Sequence, residues 1–285
     1  MTFGWLRSWV HRSVTGHEAP QKEAAPPPAQ DDWSRTGRAV RNMGIIFVAA
    51  ILLGGAGWYA LSRHHYKWAV VIVAGDWHAE DGGPSKAFDN SRRDVSAELR
   101  QIGFDDAYMM QFSVRPDLDT DTHPMPSTTQ SIGDELALLT SETPLGCILY
   151  FSTHGAQQGM LLGNTILSPA ALAGIVDSTC GKRPTLIIIS ACYSGVFVPA
   201  LEGDNRMVMT AARPDRTSFG CTQDARYPYF DTCVVQNLPG AHDFPTLADR
   251  VKACVEKREQ DTGMSPPSEP QVSIGRDVAD NLPTW

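Results

Sequence analysis

Three runs of largely apolar residues, the first of them rich in β-branched side chains, set the terms on which this chain can fold: Trp68–Ala74 (WAVVIVA), Cys147–Ser152 (CILYFS) and Thr185–Ala191 (TLIIISA). Each has the length of a strand and none alternates with polar residues, which is the pattern of a strand covered on both faces. Segments of helical spacing separate them. Ser85–Ile102 carries Phe88, Val95, Leu99 and Ile102 as its apolar set and stops at Gly103; Ser131–Thr140, Pro169–Ser178 and Thr246–Arg258 follow. Further strands are expected at Ala107–Val114, Arg206–Ala211 and Gln271–Ile274, with a Pro/Asp/Thr-rich loop running to Thr129 and a short hairpin turning at Gly163-Asn164. This alternation predicts an α/β domain over residues 67–285, with a mainly parallel sheet and helices on both faces. Reactive groups in such sheets collect beyond the carboxyl ends of the strands.

Ahead of that domain lie 19 uncharged residues, Met43–Leu61 (MGIIFVAAILLGGAGWYAL). As a helix they cover about 28 Å, close to the hydrocarbon thickness of a bilayer, and Trp58 and Tyr59 sit where aromatic rings favour the interface. Residues 43–61 are therefore expected to be one transmembrane helix, with the lipid bilayer as a partner, preceded by a flexible tail over 1–42. The tail holds a Pro/Ala/charge-rich linker at 18–32. Its first residues, with Phe3, Trp5, Leu6, Trp9 and Val10 among basic side chains, read either as a short helix on an anionic membrane face or as disordered chain. Arg35, Arg38 and Arg41 before the span outweigh Arg63 and Lys67 after it. This bias puts the amino terminus in the cytoplasm of a single-pass inner-membrane protein and the folded domain outside, in the periplasm of a Gram-negative cell.

Charge divides along the same line. Residues 68–285 hold 16 Lys/Arg against 28 Asp/Glu, a net charge of −12. Nucleic acid is an unfavourable partner for such a domain, since affinity for phosphate backbones rests on basic side chains.

Two of the strand ends carry chemistry. The run at 146–152 continues into Thr153-His154-Gly155, and the run at 185–191 into Cys192-Tyr193-Ser194-Gly195. A helix between them is long enough for a right-handed crossover, so the strands should be neighbours with His154 and Cys192 at one sheet edge. A thiol needs a base beside it to act as a nucleophile at neutral pH, and an imidazole at the adjoining strand end supplies one. The N–H groups of Gly155 and Cys192 are candidates to hold a developing oxyanion.

The remaining cysteines are less telling. None of the six stands in a C-x-x-C pair, so no zinc site is expected; up to three disulfides are allowed and none is required. Cys147, in an apolar run, is expected to be a buried free thiol. Asp76, His78, Glu80 and Asp81 crowd one loop but lack a second ligand group at fixed spacing, so no metal is expected there. His123, His64 and His65 read as exposed.

YFSTHG (Tyr150–Gly155) and IISACYSG (Ile188–Gly195) resemble the two catalytic blocks of the legumain-like cysteine peptidases, the C13 family, and VIVAGDWHAEDGGPSKAFDNSRRDV (Val71–Val95) is similar to the family's opening block. The resemblance spans roughly Trp68 to Gly220. The family also includes the subunit of the transamidase that attaches lipid anchors, and its wider clan includes caspases, gingipains and separase. The caspase signature Q-A-C-[RQG]-G is not met, because Ser190 precedes Ala191 and Tyr193-Ser194 separates Cys192 from Gly195.

The resemblance implies a three-layer caspase-like fold, Cys192 as nucleophile, His154 as general acid/base, and the Gly155 N–H at the oxyanion. Asn90-Ser91-Arg92 matches the family's Asn-x-Arg triplet, although it stands two residues closer to Asp94-Val95. Asn90 is then a candidate to orient His154, and Arg92 to line the pocket for the residue before the scissile bond; their alternatives are a helix cap and a solvated helix face. Tyr193 stands where legumains have an acid after the nucleophile, so their Asn preference is not expected. The implied function is a membrane-anchored cysteine endopeptidase acting on peptide or protein substrates without cofactor or metal. The same acyl-enzyme would serve a transamidase or peptide ligase. A non-catalytic membrane-tethered scaffold is a third reading, against which the presence of both His154 and Cys192 speaks.

Overall fold

The apolar runs become the centre of a seven-stranded sheet. A computed structural model describes residues 66–285 apart from Pro144, together with Ile45, Phe47 and Val48, which are helical. The tail at 1–42 and the rest of the expected span at 43–61 lie outside the described residues. Among the described residues no helix is long and apolar enough to cross a membrane. The chain divides into two units at Leu61–Ser62, and the second carries the sheet.

In chain order the main sheet comprises β1 (Ala69–Ala74), β2 (Met109–Ser113), β3 (Met125–Pro126), β4 (Cys147–Ser152), β8 (Thr185–Ser190), β9 (Arg206–Thr210) and β10 (Gln271–Ile274). Their order across the sheet is β10-β9-β8-β4-β1-β2-β3. Every pair is parallel except the edge strand β10, which runs antiparallel to β9. Between β4 and β8, strands β5 (Gly155–Ala156), β6 (Gly159–Leu162) and β7 (Thr165–Leu167) form a small antiparallel sheet. The two-residue turn Gly163-Asn164 joins β6 to β7, with Gly163 at φ +58°.

Alternate residues of the buried strands feed two cores. Val70, Ile72, Ile148, Tyr150, Leu186 and Ile188 face one side. There they meet α1 (Ala87–Gln101), α5 (Tyr229–Ala241) and α6 (Phe244–Thr262). Val71, Val73, Leu149, Phe151, Ile187 and Ile189 face the other, against α2 (Thr129–Glu142), α3 (Pro169–Thr179) and the short α4 (Val198–Leu201). The result is three layers, as continuous apolar strands demand. Side-chain caps from Thr128, Ser168 and Asp243 start α2, α3 and α6.

Two features depart from the sequence reading. Helix α5 falls where no element was expected: Pro239 and Gly240 lie in its last turn and its apolar periodicity is weak. Cys147 is not a free thiol. It is bonded to Cys180 at the end of α3, with Cα atoms 6.1 Å apart, and Cys233 on α5 is bonded to Cys254 on α6, at 5.7 Å. Both bridges tie helices to what they pack on, leaving Cys192 and Cys221 free.

Candidate active site

Strands β4 and β8 pair in register from Cys147–Thr185 to Ser152–Ser190, and the Thr153 N–H donates to the Ser190 carbonyl at 3.0 Å. His154 and Cys192 each follow two residues after the paired serines. Neighbouring strands stand about 4.8 Å apart, so the register delivers both residues to the same level of one edge. Gly155 is what lets the strand ends close up. A Cβ there would collide with the carbonyl oxygen of Cys192 and lie 3.0 Å from the Ala191 Cβ.

The imidazole of His154 is held from two sides. Its Nε2 lies 3.0 Å from the carbonyl oxygen of His78, and because a carbonyl only accepts, that nitrogen carries the proton and Nδ1 is the basic one in the neutral ring. The edge of Phe88, on the first turn of α1, packs against the ring at 5.0 Å between centroids. The loop after β1 is fixed in turn by Asp76, which is 4% exposed. Its Oδ1 accepts the N–H groups of Trp77 at 2.6 Å and His78 at 3.2 Å and contacts His78 Nδ1 at 2.7 Å. This is the structural work of the acidic loop. Among the described residues no group of three His, Cys, Asp or Glu could hold a metal ion.

Cys192 is half-buried. Its Sγ accepts the Ser218 N–H at 3.3 Å and stands 3.6 Å from the Ser218 hydroxyl. Tyr193 adopts φ +57°, and its N–H donates to the Arg216 carbonyl at 2.8 Å, which keeps the 216–218 segment against the strand end.

Beneath both strand ends lies a buried carboxylate that sequence reasoning missed. Asp231, on the first turn of α5 and fully buried, accepts hydrogen bonds from the Tyr150 hydroxyl and from Ser152 Oγ at 2.7 Å, with the Ser190 and Ser91 hydroxyls close by. Burial raises its carboxyl from the ordinary 3.8 to about 6, against the opposing pull of these bonds. Burial and the adjacent Asp231 push the Tyr150 phenol well above its usual range.

Asn90 and Arg92 are not brought to the strand ends. Asn90 Nδ2 donates to the Arg226 carbonyl at 3.0 Å, and its Oδ1 accepts from Arg93; it makes no contact with His154, whose orientation comes from His78. Arg92 is fully buried rather than solvated or lining a pocket. Its guanidinium donates to Asp89 at 3.2 Å, Gln111 at 2.6 Å, Thr122 at 2.9 Å and Asp119. With those donors spent on the β2 side of α1 and no exposed surface, it has nothing to offer a substrate. Burial opposes the charge of Asp119, but bonds from Thr122 and Arg92 hold its carboxyl well below the usual range.

Residues 129–268, a span containing His154, Cys192, Ser218 and Asp231, match the family model described as the peptidase C13 family. Among solved structures the fold is similar to that of caspase-1 from Spodoptera frugiperda, with a TM-score of 0.54 over 74% of this chain and 88% of that chain, at 16% sequence identity. No curated protein matches. The mostly parallel sheet, its three layers and this likeness define a caspase-like α/β fold. Within that class the chain is a cysteine-type peptidase, a hydrolase, and over residues 129–268 it matches the peptidase C13 family.

Proposed function

We propose that the protein is a membrane-anchored cysteine endopeptidase that works through a Cys192–His154 dyad. The observation that carries this reading is the pairing of two strand ends in register, with Gly155 closed onto the Cys192 carbonyl and the His154 ring anchored through Nε2 on His78. The anchored ring leaves Nδ1 to take the Cys192 thiol proton as sulfur attacks the peptide carbonyl. The oxyanion is held by the N–H groups of Gly155 and Cys192. His154 then gives that proton to the leaving amine, and the C–N bond breaks to leave a thioester. Water, deprotonated by the same imidazole, cleaves the thioester and restores the thiol.

Hydrolysis of a peptide library by the full chain in detergent micelles tests this, together with mapping of the cysteine modified by a peptidyl acyloxymethyl ketone. Cys192→Ala and His154→Ala should each abolish turnover with the fold retained, since losing a general acid/base alone costs about 10²–10⁴-fold. Label that persists in Cys192→Ala overturns the assignment.

Anchoring rests on the 19 uncharged residues Met43–Leu61, and a domain outside the cytoplasm on the Arg excess before that span. The Cys147–Cys180 and Cys233–Cys254 bridges support the same side, because disulfides persist in oxidising compartments. A carboxy-terminal alkaline phosphatase fusion in a Gram-negative host should be active; an inactive phosphatase fusion with a fluorescent green fluorescent protein fusion reverses the topology.

A further inference from the structure

On the sheet face covered by α1, α5 and α6, the central strands present Val70, Ile72, Ile148, Leu186 and Ile188. The character of that face changes at the last level before the dyad. There Ala74, Ser152 and Ser190 stand side by side in register. All three side chains are short, so the sheet leaves room at this level for a group reaching down from the covering helices. Asp231 of α5, fully buried, takes it. Its carboxylate accepts from the Ser152 hydroxyl at 2.7 Å and from the Tyr150 hydroxyl.

Tyr150 and Ser152 are alternate residues of β4, and side chains on a strand repeat every two residues. The next position in that alternation is His154, whose ring packs on Phe88 of α1, a helix over the same face. One carboxylate therefore grips the two positions that lead directly to the general acid/base, from 81 and 79 residues away in the chain.

Neither the helix nor the stability of the core asks for a carboxylate here. Asp231 is the third residue of α5, where an acid ordinarily reaches back to the backbone N–H of the capping residue. That residue is Pro228, which has no N–H, and α5 starts without a side-chain cap. The partners of Asp231 are hydroxyls rather than a cation, and exchanging such a buried cluster for apolar side chains of similar shape is commonly neutral or stabilising. What directional bonds supply, and apolar packing does not, is a single fixed position for the strand end.

We propose that Asp231 is a positioning residue for the dyad: by holding Tyr150 and Ser152 it fixes the end of β4, and with it the distance and angle at which His154 meets Cys192. This rests on the dyad reading and adds how its geometry is set. Asp231 acts through the strand and touches neither substrate nor the reacting atoms.

The test separates positioning from support of the fold. The triple variant Tyr150→Phe/Ser152→Ala/Asp231→Leu, made in the full chain in micelles, removes the carboxylate and both hydroxyls bonded to it. Its thermal midpoint should stay close to that of wild type. On the best-cleaved library peptide in fluorogenic form, kcat should fall on the order of 10²-fold with KM little changed. Alkylation of Cys192 by iodoacetamide at pH 7, which needs no substrate, should slow about tenfold, since a thiol without its base is mostly protonated there. Asp231→Asn, which keeps one acceptor oxygen, should fall between wild type and the triple variant. Ser152→Ala, nearer to His154, should lower kcat more than Tyr150→Phe. Leu136→Ala, in the core on the opposite face, should lower the thermal midpoint and leave kcat in place.

If the triple variant keeps its kcat while Cys192→Ala and His154→Ala are inactive, the positioning role falls and the dyad stands. Losses in kcat that simply follow the thermal midpoint across the set, Leu136→Ala included, overturn it as well. Should the triple variant fail to fold, the single variants decide, and a larger loss in Tyr150→Phe than in Ser152→Ala overturns the proposal. Cleavage by Cys192→Ala overturns the dyad, and this proposal with it.

Discussion

Replacing Asp231 by Asn should flatten the dependence of stability on pH. In the folded protein the Asp231 carboxyl holds its proton up to about pH 6, against an ordinary 3.8 once the chain unfolds. Between those values the folded state binds more protons than the unfolded one, so stability falls as pH rises from about 4 to 6 and then levels off. Each factor of ten in proton affinity is about 1.4 kcal/mol, so the difference amounts to about 3 kcal/mol. The amide in Asp231→Asn is neutral throughout and nearly the same shape, so it loses nothing over that range. Other groups titrate too, Asp119 with the opposite sign, but they are common to both proteins. The quantity to measure is the difference in unfolding free energy between wild type and Asp231→Asn, from urea titrations followed by tryptophan fluorescence, at pH 4 and pH 7.5.

The expected difference shifts by about 2.5 kcal/mol in favour of Asn on going from pH 4 to pH 7.5, since the unfolded carboxyl is already partly ionised at pH 4. A pH-independent difference would refute the reasoning, because it would mean that Asp231 ionises in the fold as it does in water. Asp231→Ala adds a separate check. It strands the hydroxyls of Tyr150 and Ser152 in a dry core, and one unsatisfied buried group alone costs about 1–3 kcal/mol. It also unties Ser152, two residues before His154, and a displacement of about 1 Å at such a site costs on the order of 10²-fold in rate.

Three further outcomes are expected. Gly155→Ala drives a methyl into the Cys192 carbonyl, so peptide hydrolysis should fall at least 100-fold while far-ultraviolet circular dichroism stays native. Removing Cys233–Cys254 as a double alanine variant opens a loop of 21 residues and should cost about 3 kcal/mol, read as a lower thermal midpoint that dithiothreitol does not lower further at that bridge. Iodoacetamide should modify Cys192 in the folded protein and Cys221 only after unfolding, as peptide mapping by mass spectrometry would reveal.

Sequence carried the scaffold of this site further than its surroundings. The runs at 69–74, 147–152 and 185–190 declare themselves because a strand covered on both faces has no polar position to give it away as anything else. Once they are parallel neighbours, His154 and Cys192 follow by register alone. What surrounds them depends on side chains meeting across long separations. Arg92 looks like a helix-surface or pocket residue until the segment after β2 folds over it, bringing Asp119 and Thr122 from 27 and 30 residues away. The Asp76–His78 loop reads from sequence as a cluster of metal-type side chains lacking a second ligand group, whereas in the fold it points one carbonyl at an imidazole 76 residues on. Asp231 was hidden because its helix was: α5 buries Phe230, Cys233, Val234 and Leu238 without a clean stripe and runs through Pro239. Disulfide pairing was hidden for a simpler reason, since six cysteines allow many connectivities and spacing does not choose among them.

The two free thiols, Cys192 and Cys221, sit in different surroundings. Cys221 is 6% exposed and packed against Ala74 and Phe88, the same ring that abuts His154. Burial first, and then the nearby Cys192 and Asp231, push its thiol well up, so it stays protonated and inert. Cys192 is only half-buried, and its Sγ accepts the N–H of Ser218, three residues before Cys221 in the chain. The difference lies in solvation and hydrogen bonding rather than in residue type. The same division runs through the carboxylates: Asp76 is buried with N–H donors and fixes a loop, while Asp231 is buried with hydroxyls and carries a raised proton affinity. Each group's chemistry is set by what the sheet edge places beside it.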